Sequence, residues 1–144
     1  MGFGPHVMLD LNECNPNQLN SVESCFKLLD ELPTIIGMTK ITMPYVFPYE
    51  GLVPEDKGIT GNVIIAESHV SIHTFSLKNY AFIDIFSCKP FDSKKAINYC
   101  IDFYNTNINC YSVRCEGTVF IYSKSDNDRC FRRSEKRCPG KYAK

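Results

Sequence analysis

The run from Val70 to Cys88 constrains the fold most. "VSIHTF" (70–75) and "YAFIDIFSC" (80–88) are dense in β-branched and aromatic residues, and only "SLKN" (Ser76–Asn79) separates them. So short a link leaves no room for a crossover, so the two strands must be antiparallel neighbours. With Ser76 opposite Asn79, facing positions sum to 155. His73 then faces Phe82, and Cys88 faces Glu67, next to Ser68. Just upstream, "NVIIAE" (62–67) is a continuous apolar run, read as a strand buried on both faces or nearly so.

The rest of the chain supports the same layered arrangement. "HVMLDL" (His6–Leu11) alternates as a first strand. In "NECNPNQLNSVESCFKLLDELP", Leu19, Val22, Phe26 and Leu29 recur at helical spacing. Asn15-Pro16 supplies its cap and first-turn proline, and Pro33 its predicted exit. Thr39–Gly51 starts as a strand and turns irregular at Pro44 and Pro48, and "LVPEDKGITG" reads as a loop ending at Gly58 and Gly61. A second helix follows Asp92 or Ser93, with Ala96, Ile97, Cys100 and Tyr104 on one side. "CYSVRCEGTVFIYS" gives a bent strand or a hairpin around Gly117. Strands in antiparallel succession with two helices predict an α+β fold: a two-layer sandwich, mainly antiparallel sheet, both helices on one face. The other face then needs cover, most simply from a second subunit.

At 144 residues the chain is long enough for one domain, expected over 1–123, and has no apolar run long enough to cross a membrane. Its start lacks the charged and apolar regions of a secretory leader, so the expected location is the cytoplasm. The eight cysteines are therefore read as thiols, and their spacing matches no common zinc pattern. The late group Cys110, Cys115, Cys130 and Cys138 offers four thiols for zinc, but the expectation is no metal. The zero net charge hides an asymmetry: from Lys124 onward eight basic residues face three acidic ones, so 124–144 carries +5 and the body −5. A basic, cysteine-containing tail can attract nucleic acid, but no recognition module accompanies it, and a flexible, solvated tail is expected.

A serine, two histidines and a cysteine among these apolar strands need an explanation. In an unbroken strand, Ser68 and His73 are about 16 Å apart and point to opposite faces. For His73 to act on Ser68, the backbone must turn or bulge near Ser68-His69. Taken singly, Ser68 reads as a turn serine and His73 as a hydrogen-bonded core histidine; their combination with Cys88 at this spacing favours a reactive site. His69 receives no role beyond orientation or packing. His6 and Asp10 read as structural or interface residues.

At these residues the sequence resembles a known family. "GITGNVIIAESHVSIHTF…YAFIDIFSC" is similar to the small prokaryotic form of the S-adenosylmethionine decarboxylase family, through Gly58 to Gly61, Glu67-Ser68-His69, His73-Thr74 and Cys88. "GPHVMLDLNEC" is similar to the family's opening; nothing after Ser123 has a counterpart. The resemblance implies a self-processing proenzyme. Ser68 would attack the Glu67 carbonyl, with Thr60 as the supporting hydroxyl and His73 as the proton acceptor. Cleavage between Glu67 and Ser68 would convert residue 68 to a pyruvoyl group. That group would form a Schiff base with a substrate amine, with Cys88 as proton donor. No metal and no pyridoxal phosphate would be needed. The resemblance further implies a homodimer of processed α/β pairs with pockets near the subunit boundary.

The implied reaction is decarboxylation of S-adenosylmethionine to the aminopropyl donor of spermidine synthesis. Tyr45, Phe47 and Tyr49, at alternate positions, are candidates for stacking on adenine and holding the sulfonium by cation–π attraction, or else plain core aromatics. The segment Tyr49 to Lys57 looks like an insertion carrying Glu50, Glu55 and Asp56, which read either as a solvated loop or as partners for a guanidinium or ammonium group. Arginine or ornithine decarboxylation on the same fold is thus the first alternative. An unprocessed, non-catalytic partner subunit is the second, and the presence of Ser68, His73 and Cys88 argues against it.

Overall fold

The computed structural model describes residues 4–115, 118–123 and 131–133, with side chains through Thr106. Eight strands, β1 (His6–Asn12), β2 (Tyr45–Tyr49), β3 (Gly58–Ile65), β4 (Ser68–Phe75), β5 (Tyr80–Ser87), β6 (Asn107–Cys115), β7 (Thr118–Ser123) and β8 (Phe131–Arg133), form one antiparallel sheet. Their order is β2-β3-β4-β5-β1-β6-β7-β8. The first strand in sequence therefore lies inside the sheet, against β5 on one side and β6 on the other.

Strand alternation splits this sheet into two unlike faces. Val7, Leu9 and Leu11, Val63 and Ile65, Val70 and Ile72, and Ala81, Ile83 and Ile85 are buried on one side. Covering them are α1 (Pro16–Leu19), α2 (Val22–Ile35) and α3 (Ser93–Tyr104). Helix α2 lies over β2, β3 and β4, and α3 over β1 and β6. Cys25, Leu28, Leu29 and Leu32 of α2 and Ala96, Ile97, Cys100 and Tyr104 of α3 complete the core. Each such side chain contributes about 1.5–3 kcal/mol by leaving water. The architecture is the expected α+β sandwich with helices on one face.

Local signals explain the element ends. Asn15 accepts from Asn17 N–H, Ser21 from Ser24 N–H and Asp92 from Lys95 N–H, each satisfying an otherwise orphaned first-turn donor. Asn79 and Asn105 close the β4–β5 turn and α3 in the left-handed conformation. Gly58 is required by a close approach: a Cβ there would lie 1.8 Å from the Thr74 carbonyl oxygen. Thr74 Oγ1 accepts from Ile59 N–H and donates to the Leu19 carbonyl, both at 2.7 Å, so one hydroxyl joins β3, β4 and α1.

Several local expectations are corrected. The first helical stretch is two helices, broken at Asn20-Ser21 because Ser21 caps a new start. Pro33 lies inside α2, which runs on to Ile35: the proline gives up the backbone bond to the Leu29 carbonyl, and the burial of Leu32 and Pro33 against the sheet offsets that loss. Residues 39–51 have the reverse of the expected order: irregular first, then β2, with Pro48 tolerated at the sheet edge. Strand β3 begins at Gly58, inside the predicted loop, and is buried on one face only, with Asn62 and Ile64 exposed. Asn107–Cys115 and Thr118–Ser123 pair antiparallel as β6 and β7, the hairpin alternative rather than one bent strand. Past Ser123, Phe131–Arg133 pair with β7 as an eighth strand where only loop was expected. The rest of the tail, with Cys130 and Cys138, and the side chains of Cys110 and Cys115 lie outside the described residues.

Candidate active site

The β4–β5 register matches the sequence expectation. Ser68 pairs with Ser87 and His73 with Phe82. Ser68 is the first residue of β4, directly after the two-residue turn Ala66-Glu67, whose internal peptide is cis. Glu67 is exposed and Ser68 half-buried, so the Glu67–Ser68 peptide sits at a turn on the rim of the sheet. Cys88 follows Ser87 immediately, outside the strand, and carries a free, exposed thiol.

The Cys88 segment is well anchored. Ser87 is fully buried; its hydroxyl donates to Met38 Sδ (3.5 Å) and accepts from Lys89 N–H (3.0 Å), turning the chain just after Cys88. Ser87 N–H donates to the Pro5 carbonyl at 3.3 Å. Gly4, with φ +86°, lies so close that a Cβ there would stand 2.2 Å from the Ser87 carbonyl oxygen. The opening residues of the chain thus hold the Cys88 backbone in place.

His73 lies elsewhere. Strand β4 runs without a register shift from Ser68 to Phe75, and the expected bulge after Ser68 is absent, since the turn precedes it. Ser68 therefore shares the helix-side parity of Val70 and Ile72, whereas His73 is exposed on the open face. There it pairs with Thr60 of β3, and Thr60 Oγ1 stands 3.3 Å from His73 Nδ1. With Phe47, Tyr49, Thr74 and Phe75 these two line a cavity of about 360 Å³. Tyr45 is exposed and packs its ring on Phe47 (5.2 Å between centroids) without lining the cavity.

Two carboxylates of the acidic segment between β2 and β3 are paired with lysines. Lys57 pairs with Glu50 at 3.0 Å, and Lys78, at the β4–β5 turn, pairs with Asp56 at 2.6 Å. None of the three carboxylates lines the cavity.

A further cluster escaped the sequence reading. On the open face Asp84 accepts from His6 Nε2 at 2.6 Å and from His69 Nε2 at 3.2 Å. The register could have found it, since Asp84 faces Ser71, two residues along from His69. Asp10, also on β1, has its carboxyl pushed above the ordinary range by burial. Among the described residues no group of histidine, cysteine and acidic side chains is arranged to hold a metal, and no helix is long and apolar enough to cross a membrane.

The chain is similar to known proteins in sequence and in fold. The family model described as S-adenosylmethionine decarboxylase matches residues 5–113. The chain is 37% identical over 97 residues to an S-adenosylmethionine decarboxylase proenzyme of Clostridium botulinum, covering 67% of this chain and 78% of that one. It is 31% identical over 101 residues to the proenzyme of the same name from Thermococcus onnurineus, covering 69% and 67%. A crystal structure of the adenosylmethionine decarboxylase from Aquifex aeolicus superposes with a TM-score of 0.64 at 27% identity, over 76% of this chain and 87% of that one.

Proposed function

The chain belongs to the S-adenosylmethionine decarboxylase family, and on that premise we propose that it is a self-processing proenzyme that decarboxylates S-adenosylmethionine to the aminopropyl donor for spermidine synthesis. The observation that carries this reading is the β4–β5 register, Ser68 opposite Ser87 with the free thiol of Cys88 next in line. The residues fit a self-derived pyruvoyl group at position 68: a half-buried serine heads a strand, behind an exposed turn peptide and beside an anchored thiol. That group supplies an electron sink for a substrate amine as carbon dioxide leaves.

The chain's own residues take the remaining parts. Ser68 Oγ attacks the Glu67 carbonyl, and the acyl group shifts from nitrogen to oxygen. His73 takes the serine α-proton as the Cβ–O bond breaks, which frees residues 1–67 with Glu67 as a carboxylate. Water then replaces the nitrogen of the dehydroalanine left at position 68, releasing ammonia. Cys88 returns a proton to the substrate carbon. Phe47 and Tyr49, flanking the cavity beside Thr60 and His73, offer π-faces to a flat base and a sulfonium. Because Ser68 and His73 face opposite ways along one strand, Thr60 and His73 of the partner subunit serve Ser68 in a homodimer. Exposed Phe47, Ile64 and Phe82 on the open face are apolar surface suited to such a contact. Arginine or ornithine as substrate gains no support from the acidic segment, whose Glu50 and Asp56 are already paired with lysines.

Two measurements test the reading. Denaturing mass spectrometry is expected to give two fragments split between Glu67 and Ser68, with 68–144 blocked to Edman degradation. Carboxyl-labelled S-adenosylmethionine is expected to release labelled carbon dioxide while labelled arginine and ornithine do not. A chain that stays whole points to the non-catalytic partner role, and release from either amino acid alone overturns the substrate.

A further inference from the structure

Cleavage before Ser68 has a mechanical consequence for the strand it opens. In the intact chain the Ala66-Glu67 turn ties β4 to β3. Once it is cut, β4 begins at residue 68, and that residue must still keep its place opposite Ser87, next to Cys88. The strand's end is then held by its ladder pairs alone, Ser68 with Ile65 and with Ser87, and strand ends so held are where opening free energies are lowest. A reacting group needs its support fixed to within about 0.5 Å.

One side-chain tie from β4 to β5 lies next to the new end. His69, the residue after Ser68, donates from Nε2 to Asp84 Oδ1 at 3.2 Å. The other oxygen of Asp84 accepts from His6 Nε2 of β1 at 2.6 Å. Phe86 stands in register opposite both His69 and His6, and its ring meets theirs at 6.2 and 5.3 Å between centroids. Three central strands are thus cross-linked through a single carboxylate, which as an ion accepts from both rings. The His69–Asp84 bond thus joins β4 to β5 one residue from the new end.

We propose that Asp84, acting through His69 and braced by His6, is a positioning residue that holds the residue-68 end of β4 in register beside Cys88 after the chain is cut. The inference rests on the self-processing reading and adds to it a role conditional on cleavage. While the turn is intact, the clamp is redundant. After cleavage it replaces the lost connection.

The test compares hydrogen exchange of the 69–75 segment in cleaved protein and in the uncleaved Ser68→Ala chain, each with and without Asp84→Ala. In cleaved protein Asp84→Ala is expected to speed exchange there at least about tenfold. It is also expected to lower kcat about tenfold or more, with KM within about threefold. In the Ser68→Ala background the same change is expected to alter exchange by less than about twofold. Asp84→Asn, which keeps an acceptor oxygen and the side chain's shape, is expected to recover part of both losses. Equal effects in cleaved and uncleaved chains, or none in either, overturn the proposal, as does an Asp84→Ala or Asp84→Asn chain that cannot be cut. A wild-type chain that stays whole is seen by mass alone and defeats the self-processing reading, and this inference with it.

Discussion

Ser68 and His73 share one unbroken strand but face opposite sides of the sheet: Ser68 has the parity of buried Val70 and Ile72, while His73 stands exposed against Thr60. Five residues of strand separate them by about 16 Å. If both act in processing, they act between copies. Co-expressing a Ser68→Ala chain with a differently tagged His73→Ala chain tests this. Neither is expected to be cut alone, but in the mixture the His73→Ala chain is expected to be cut, served by His73 of the partner subunit. A mixture in which both chains stay whole sinks the assignment between copies.

The thiols separate by environment. Burial pushes the Cys25 thiol up to about 11 and the Cys100 thiol up to about 12. Both therefore remain protonated and poorly nucleophilic through neutral pH, because burial disfavours the charged thiolate. Cys14 is raised in the same direction by burial. Cys88 is exposed. Among these four, brief alkylation of native protein at pH 8 is expected to label Cys88 first, with activity falling in step, as peptide mass spectrometry reads. Cys88→Ala is expected to leave cleavage intact and to cost on the order of 10²-fold or more in kcat, the range for a positioned proton donor. Prior labelling of Cys25 or Cys100 would contradict the burial argument.

The long-range frame was legible because register is arithmetic. Once Ser76–Asn79 is a turn, Ser68 and Ser87 have to meet, and they do. Helical spacing likewise marks the core of α3, with Ala96, Ile97, Cys100 and Tyr104 all buried. Two kinds of feature stayed hidden. Edge strand β2 carries Pro48 and mostly exposed residues, so its pattern reads as loop. The His6–Asp84–His69 clamp joins three strands, and the neighbourhood of β1 and β5 is set by sheet order, which local periodicity does not encode. The face on which His73 would act could not be fixed either, because the turn's place relative to Ser68 decides it.

The cavity aromatics are predicted to differ in their effects. Phe47 and Tyr49 line the cavity beside His73, while Tyr45 only supports Phe47. A desolvated ring over a flat base or a cation contributes about 1–2 kcal/mol. Phe47→Ala and Tyr49→Ala are therefore each expected to raise KM for S-adenosylmethionine roughly five- to thirtyfold, with Tyr45→Ala well below that. Neither is expected to slow chain cleavage, which involves no substrate. Unchanged KM in both variants would remove the cavity from the substrate site.

Gly58 links stability to the site. A methyl group there meets the Thr74 carbonyl oxygen at 1.8 Å, and backbone cannot yield as a side-chain tip would. Strand β3 must then slide or lift from β4, and the first contacts strained are those of Thr74 Oγ1 with Ile59 N–H and the Leu19 carbonyl. Overpacking of this kind costs about 1–3 kcal/mol or more. Thr74→Val removes the same two bonds directly, leaving a buried donor and acceptor unsatisfied at a cost of about 1–3 kcal/mol each. Because both changes attack one junction, the double variant is expected to lose less stability than the two losses added, by at least about 0.5 kcal/mol in denaturant titrations. Thr60 lies two residues from Gly58 and faces His73, so Gly58→Ala is also expected to slow cleavage in whatever fraction folds. Strict additivity, or wild-type stability in Gly58→Ala, would show that β3 and β4 do not meet as closely as this junction requires.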